Sequence, residues 1–219
     1  MSGRDLVILG TASQVPTRTR NHNGYLLRWD RERLLFDPGE GTQRQFTFAG
    51  VSAGRVTRIF LSHLHGDHCL GLPGMLQRLA LDGVGVEVPV YFPRSGLPYV
   101  ERLCDSSIGR RNPVRLVPVD DSGATVTEEP LRISALPLSH RVPALGWRIE
   151  EPARIHLLPE RLAAKGVRGA DAGRLLTEGS IEVAGRTVTL GEVGEERPGH
   201  KAAVVMDTAV CDNAVRLAE

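Results

Sequence analysis

Cysteine is scarce in this chain and poorly spaced for chemistry. Cys69, Cys104 and Cys211 are the only three in 219 residues. Their separations match neither a thiolate metal site nor a disulfide framework. They are expected to stay reduced in a cytoplasmic setting, as small buried side chains. Long apolar runs are also missing. Nothing approaches the ~20 residues that span a bilayer, so no membrane segment is expected. The N-terminal residues lead straight into a strand at Leu6-Val7-Ile8-Leu9 without the pattern of a secretory signal. Charge of one sign is absent too. The net charge is +1, so bulk electrostatics argue neither for nor against a nucleic-acid partner. Any RNA surface must be local. Arg18, Arg20, Arg44, Arg110, Arg111 and Arg115 are the candidates, with ordinary solvated arginines as the competing reading. There is no internal repeat and no low-complexity segment.

What remains is a chain long enough for one α/β domain with a full core, at an ordinary 41% hydrophobic content. Apolar patterning predicts a first strand at Leu6–Leu9 and a hairpin of Tyr25–Trp29 with Arg33–Phe36, turning at Asp30-Arg31-Glu32. A short helix is expected over Thr42–Ala49 and a buried strand over Val56–Leu61. Leu72, Met75, Leu76, Leu79 and Ala80 give a helical period to Leu70–Leu81, closed by Asp82-Gly83. Further strands are predicted at Val86–Phe92, Val114–Val119, Leu131–Leu138 and Lys201–Met206, and a helix from Leu97 to Cys104. Asn213 to Glu219 reads as the first turns of a helix.

The stretch from Glu150 to His200 has a different texture, with eight glycines, three prolines and clustered charge. It predicts a short helix over Leu158–Lys165 ended by Gly166 and a small hairpin about Gly185.

Three of the seven histidines fall in one run, Ser62-His63-Leu64-His65-Gly66-Asp67-His68. Imidazoles and carboxylates are the ligands that hold Zn²⁺ or a similar ion. His63 and His65 alternate, so on extended backbone they project to one side, while Asp67 and His68 face another point. One loop fed by a buried strand would then serve two neighbouring ions, a pairing suited to phosphodiester hydrolysis. A polar surface loop is the bland alternative. His22, His156 and His200 lack such context and are expected at the surface.

The run His-X-His-X-Asp-His resembles the metallo-β-lactamase superfamily. Other segments narrow the resemblance to ribonuclease Z, the endonuclease that matures tRNA 3′ ends. They are Leu9-Gly10-Thr11, Pro16 to Asn21, Phe36-Asp37-Pro38-Gly39-Glu40-Gly41-Thr42-Gln43-Arg44-Gln45 and Gly71-Leu72-Pro73-Gly74. Later come Leu138-Ser139-His140, Gly146 to Glu150 and Met206-Asp207-Thr208. The resemblance implies an α/β fold, an αββα sandwich of two mixed sheets between helices, over residues 1–219, with the Glu150–His200 stretch as an inserted tRNA-binding arm. Its tip here, Gly166 to Gly173, lacks the family's proline.

The resemblance further implies two zinc ions per chain. His63, His65, His140 and Asp207 would hold one; Asp67, His68 and a bridging Asp207 would hold the other. Asp67 would double as the proton acceptor, and Asp37 would orient a metal-binding histidine. Glu40 is expected either beside the site or in solvent. The implied substrate is precursor tRNA and the implied assembly a homodimer. The family places further histidines after the bridging aspartate, whereas no histidine here follows His200. The expectation is therefore of a C-terminally incomplete fold, a weak second metal site and low nuclease activity for these 219 residues. Two other readings keep the loop: a small-molecule phosphodiesterase or arylsulfatase-like hydrolase, and an inactive chain that binds RNA.

Overall fold

A computed structural model describes residues 3–106 and 113–219, so Arg110 and Arg111 lie outside the described residues. The chain divides into two compact units. The first holds Met1–Thr125, Ser134–Arg148 and Ala203–Glu219; the second holds Val126–Ile133 and Ile149–Ala202.

The first unit begins with β1 (Arg4–Gly10), β2 (Gly24–Trp29) and β3 (Glu32–Phe36). Its hairpin turns on Asp30-Arg31 alone, because Glu32 already pairs with Trp29. Helix α1 (Thr42–Phe48) follows, then β4 (Arg58–Phe60), α2 (Gly66–Cys69) and α3 (Leu72–Leu81). After these come β5 (Val88–Pro93), α4 (Leu97–Cys104) and β6 (Val114–Val119). The six strands form one sheet in sequence order. It is mixed: β1 to β3 run antiparallel, whereas β4, β5 and β6 extend it in parallel.

Strand β4 is shorter than the predicted Val56–Leu61. Val56 ends a 3-10 turn over Ala53–Arg55, although Thr57 and Leu61 still donate their N–H groups to Arg33 and Tyr91 carbonyls. The period of two along the strands divides the core. Leu35, Ile59, Val90 and Phe92 pack with Phe46 of α1, Met75 and Leu76 of α3 and Val100 of α4. Phe36, Phe60 and Tyr91 point the other way and stack at 4.7 Å spacings.

A second sheet has the order β14-β9-β8-β7, from β7 (Ala124–Glu128), β8 (Leu131–Pro137), β9 (Leu145–Glu150) and β14 (Lys201–Val204). Trp147 of β9 meets the Phe60 ring edge-on at 5.3 Å, so the two sheets face each other across an aromatic core. On the outer side, Leu217 of α8 (Asp212–Ala218) packs with Leu138 and Ala144. Gly146 leaves room for that approach, since a Cβ there would lie 2.4 Å from the Leu217 Cδ1. The sequence of layers is therefore helix, sheet, sheet, helix, as the resemblance implied. Strands β7 and β9 were not predicted as strands, although Ala124-Thr125-Val126-Thr127 and Trp147-Arg148-Ile149-Glu150 alternate apolar and polar side chains.

The second unit contains β10 (Arg154–Leu157), α5 (Pro159–Ala164), α6 (Ala170–Glu178), β11 (Ser180–Val183), β12 (Arg186–Thr189), α7 (Leu190–Val193) and β13 (Gly194–Arg197). Gly166, at φ +73°, follows α5 as predicted, and the β11–β12 hairpin turns on Ala184-Gly185 with both φ positive. The predicted loop tip at Gly166–Gly173 is corrected: a helix starts at Ala170, because Val167 and Leu175 anchor it to a small core with Ile181, Val188 and Val193. The charged group Glu192–Arg197 is partly strand, since β13 pairs antiparallel with β10, Arg154 opposite Arg197. Its surface charges largely pair with each other, as in Lys165–Glu192 at 2.6 Å and Arg174–Glu178 at 3.0 Å.

Candidate metal centre

The run that holds the histidines emerges from β4 at the end of the six-stranded sheet. Asp37 lies beside it, at the end of β3, in the left-handed region with φ +46°. That conformation is costly for a non-glycine residue and is held here by its contacts. The Asp37 carboxylate accepts from the Ser62 N–H at 2.6 Å and from the Ser62 Oγ–H at 2.7 Å. Its Oδ2 also meets His68 Nδ1 at 2.9 Å. The loop is braced against the Asp37 turn by backbone: the Gly71 N–H donates to the Pro38 carbonyl at 2.8 Å. A Cβ on Gly71 would lie 2.0 Å from the Gly39 carbonyl oxygen, and one on Gly39 2.2 Å from the Asp67 carbonyl oxygen, which explains a glycine in each of the two motifs.

Two groups of side chains converge. His63, His65 and His140 form the first, with His63 Nε2 2.9 Å and His140 Nε2 3.2 Å from the same atom, His65 Nδ1. His63, His68 and Asp207 form the second. Asp67 reaches His68 Nε2 at 3.4 Å and Asp207 reaches it at 3.6 Å. All six predicted residues are thus brought together in the first unit. His63 stands in both groups, however, whereas the sequence reading gave it to one ion only. Asp67 stands at the margin of the second group, with Oδ2 buried and without a hydrogen-bond partner among the described residues.

Burial sets the electrostatics. His63 is fully buried, and desolvation, reinforced by repulsion from His68, pushes its pKa down to about 4. Burial opposes the charge on His68 as well. There the Asp37 hydrogen bond and the charges of Asp37, Asp207 and Asp67 outweigh it, and the net shift is upward. Burial pushes the adjacent Cys69 thiol up to about 12, further raised by Asp37 and Asp67. Cys69 and Cys104 are buried as expected, but Cys211 is only half-buried.

Three contributors are not among the expected site residues. Asn23 Nδ2 lies 3.0 Å from His68 Nε2, and the Tyr25 hydroxyl donates to Asn23 Oδ1 at 3.1 Å. Both come from β2 or its approach, about 45 residues from His68. Ser62 Oγ sits 2.9 Å from His63 Nδ1; its place just before the histidine run was the available hint.

The expectation of a surface His22 is corrected. It is buried, neither ring nitrogen has a hydrogen-bond partner among the described residues, and its backbone is pinned where a Cβ on Gly10 would meet the His22 carbonyl oxygen at 1.8 Å. His156, His200 and Glu40 are exposed. Of the arginines considered for RNA, Arg18, Arg20, Arg44 and Arg115 are exposed, though Arg44 lies over the Phe48 ring and Arg115 pairs with Glu87.

The donor set suits a metal. Three imidazole nitrogens meet at hydrogen-bonding distance around one point, and the buried Asp67 Oδ2, 3.4 Å from His68 Nε2, has no hydrogen-bond partner among the described residues. Nitrogen and carboxylate oxygen are the usual ligands of Zn²⁺. The fold and this cluster define a metallo-β-lactamase superfamily protein, and the superfamily's sequence model matches residues 17–153.

Closer relatives narrow the class. Ribonuclease Z of Nocardia farcinica is 56% identical over all of this chain, which spans 72% of that protein. Ribonuclease Z of Thermobifida fusca is 51% identical, again over the whole chain and 70% of the relative. The crystal structure of human tRNase Z, short form, superimposes with a TM-score of 0.57 at 31% identity, covering 67% of this chain and 63% of that one. The chain belongs to the ribonuclease Z family.

Proposed function

We propose that this chain is a zinc-dependent endoribonuclease that removes 3′ trailers from precursor tRNA by attack of water on a phosphodiester. The observation that carries the reading is the convergence of His63, His65 and His140 beside His68, Asp67 and Asp207, in a chain of this family. His63, His65, His140 and Asp207 would hold one ion; Asp67, His68 and Asp207 would hold the other. When bound, such ions acidify water and offset charge on phosphate oxygens.

The chain's own residues supply the rest. Asp37 and Ser62 fix the rings of His68 and His63 through their Nδ1 atoms, leaving both Nε2 atoms to face the site. Burial keeps His63 neutral, and so able to donate a lone pair, at any ordinary pH. The unsatisfied Oδ2 of Asp67 is the natural acceptor for the proton of the attacking water.

The second unit is the reading's tRNA-gripping arm. Because Arg154 and Arg197 are paired neighbours, the segment between them can be excised and bridged by a short linker. Homodimerisation and a cytoplasmic setting belong to the same reading and rest on the family alone. Among the described residues no helix is long and apolar enough to cross a membrane.

Elemental analysis and single-turnover cleavage of a 3′-extended tRNA test the proposal. The wild type is expected to retain zinc and to cleave slowly, and His63→Ala and His65→Ala to lose both. Equal zinc in wild type and variants would remove the metal site. Excision of 154–197 is expected to raise KM for tRNA while sparing a small phosphodiester. Loss of both activities would make the segment part of the catalytic fold.

A further inference from the structure

An open cavity of about 400 Å³ lies against His65, lined by Leu64, Pro93, Tyr99, Val142 and Pro143. Among the described residues no Lys, Arg, Asp or Glu side chain lines it, and that lining does not suit a phosphate. It suits a flat, weakly polar group, and its size is at the low end of small-ligand cavities.

Tyr99 projects from α4 with 58% of its surface exposed, unusual for an aromatic residue that has a core one position away at Val100. The Arg102 guanidinium lies 4.7 Å from the Tyr99 ring centroid and stiffens it as a platform. The cavity shares His65 with the candidate metal centre. His65 lines it while its Nδ1 meets His63 and His140, and Val142 and Pro143 follow His140 closely in the chain. Gly96 packs closely under Leu64, where an added Cβ would lie 2.8 Å from Leu64 Cδ2. Arg94 and Arg141, each next in sequence to a lining residue or one removed, are exposed and can meet neighbouring phosphates.

We propose that this cavity receives the nucleobase adjoining the scissile phosphate, stacked on Tyr99, and so sets which bond is presented to the metal centre. The proposal rests on the nuclease reading above. Stacking on an aromatic ring tolerates every base, so it would position the strand without demanding a sequence. Tyr99 is a positioning residue in this scheme; it has no part in the bond-breaking step.

The test uses the zinc-loaded chain with 3′-extended tRNA transcripts that carry 2-aminopurine on either the 5′ or the 3′ side of the cleaved bond. Wild type, Tyr99→Phe and Tyr99→Ala are compared. Because Tyr99 is largely exposed, truncation should leave folding and zinc content unchanged. The expected result is quenching of 2-aminopurine at one of the two positions by wild type and Tyr99→Phe. Tyr99→Ala should lose the quenching and require about 10-fold more tRNA for half-saturation, with the maximal cleavage rate little changed. The position quenched identifies which flanking base is held. Unaltered half-saturation and quenching in Tyr99→Ala would overturn the base pocket while leaving the nuclease reading intact. Failure of the zinc-loaded wild type to cleave at all would overturn the nuclease reading itself.

Discussion

Asp37 Oδ2 lies 2.9 Å from His68 Nδ1, across 31 residues of sequence. The bond joins the turn after β3 to the metal loop and gives His68 an electrostatic character opposite to that of its neighbour His63. His63 is pushed down to about 4 by burial, whereas His68 is raised by its carboxylate partner despite burial.

A proton NMR titration of the metal-free protein should separate the two. His63 is expected to stay neutral down to about pH 4, and His68 to hold its proton above the ordinary histidine range. The signs for stability differ. Between about pH 4 and 6.5 the unfolded chain binds a proton at His63 that the folded chain refuses, so acidification through this window destabilises by up to about 3 kcal/mol. The stability contributed by His68 is present below about pH 6.5 and is lost as pH rises through its folded pKa. Asp37→Asn should bring the His68 titration below the ordinary range, since burial then prevails. It should also weaken zinc binding about 10–100-fold. A His68 titration unmoved by Asp37→Asn would show that the contact is not what sets its charge.

Gly71→Ala should separate the metal loop from the Pro38–Gly39 turn, because the new methyl would sit 2.0 Å from the Gly39 carbonyl oxygen. The expected cost is about 1–3 kcal/mol, the usual range for overpacking, together with reduced zinc content. Urea unfolding and elemental analysis check both, and an unchanged variant would mean the backbone yields without disturbing the site.

Phe60→Ala should be the harsher change. Phe60 is fully buried, stacked between Phe36 and Tyr91 and capped edge-on by Trp147. Removing the ring leaves a cavity between the sheets and should cost about 3–5 kcal/mol in urea unfolding. A loss below about 1 kcal/mol would mean that the aromatic stack repacks freely.

Thiol chemistry offers a simple readout of burial. Under native conditions a disulfide reagent should titrate one cysteine per chain rapidly. That residue is Cys211, half-buried and with its pKa lowered chiefly by the Thr208 hydroxyl. Cys69, buried and pushed up to about 12, should react only on unfolding. Rapid modification of Cys69 would contradict the packing around the metal loop.

The sequence by itself determined the chemistry on offer. Ligand-type side chains crowded into His63–His68, with His140 and Asp207 each following an apolar run, were visible because strand ends and ligand types leave a local signature. The hairpin about Gly185 and the end of α5 at Gly166 were legible for the same reason: a positive φ favours glycine. Tertiary structure decided what local patterns do not encode. Helix α6 forms where a loop was expected because Leu175 finds a core, and β10 and β13 exist because each supplies the other's hydrogen bonds. His22 is buried by a backbone approach at Gly10, and Asn23 reaches His68 only because β2 runs beside the metal loop. The sharing of His63 between two groups likewise depends on distances set by how the strand ends converge.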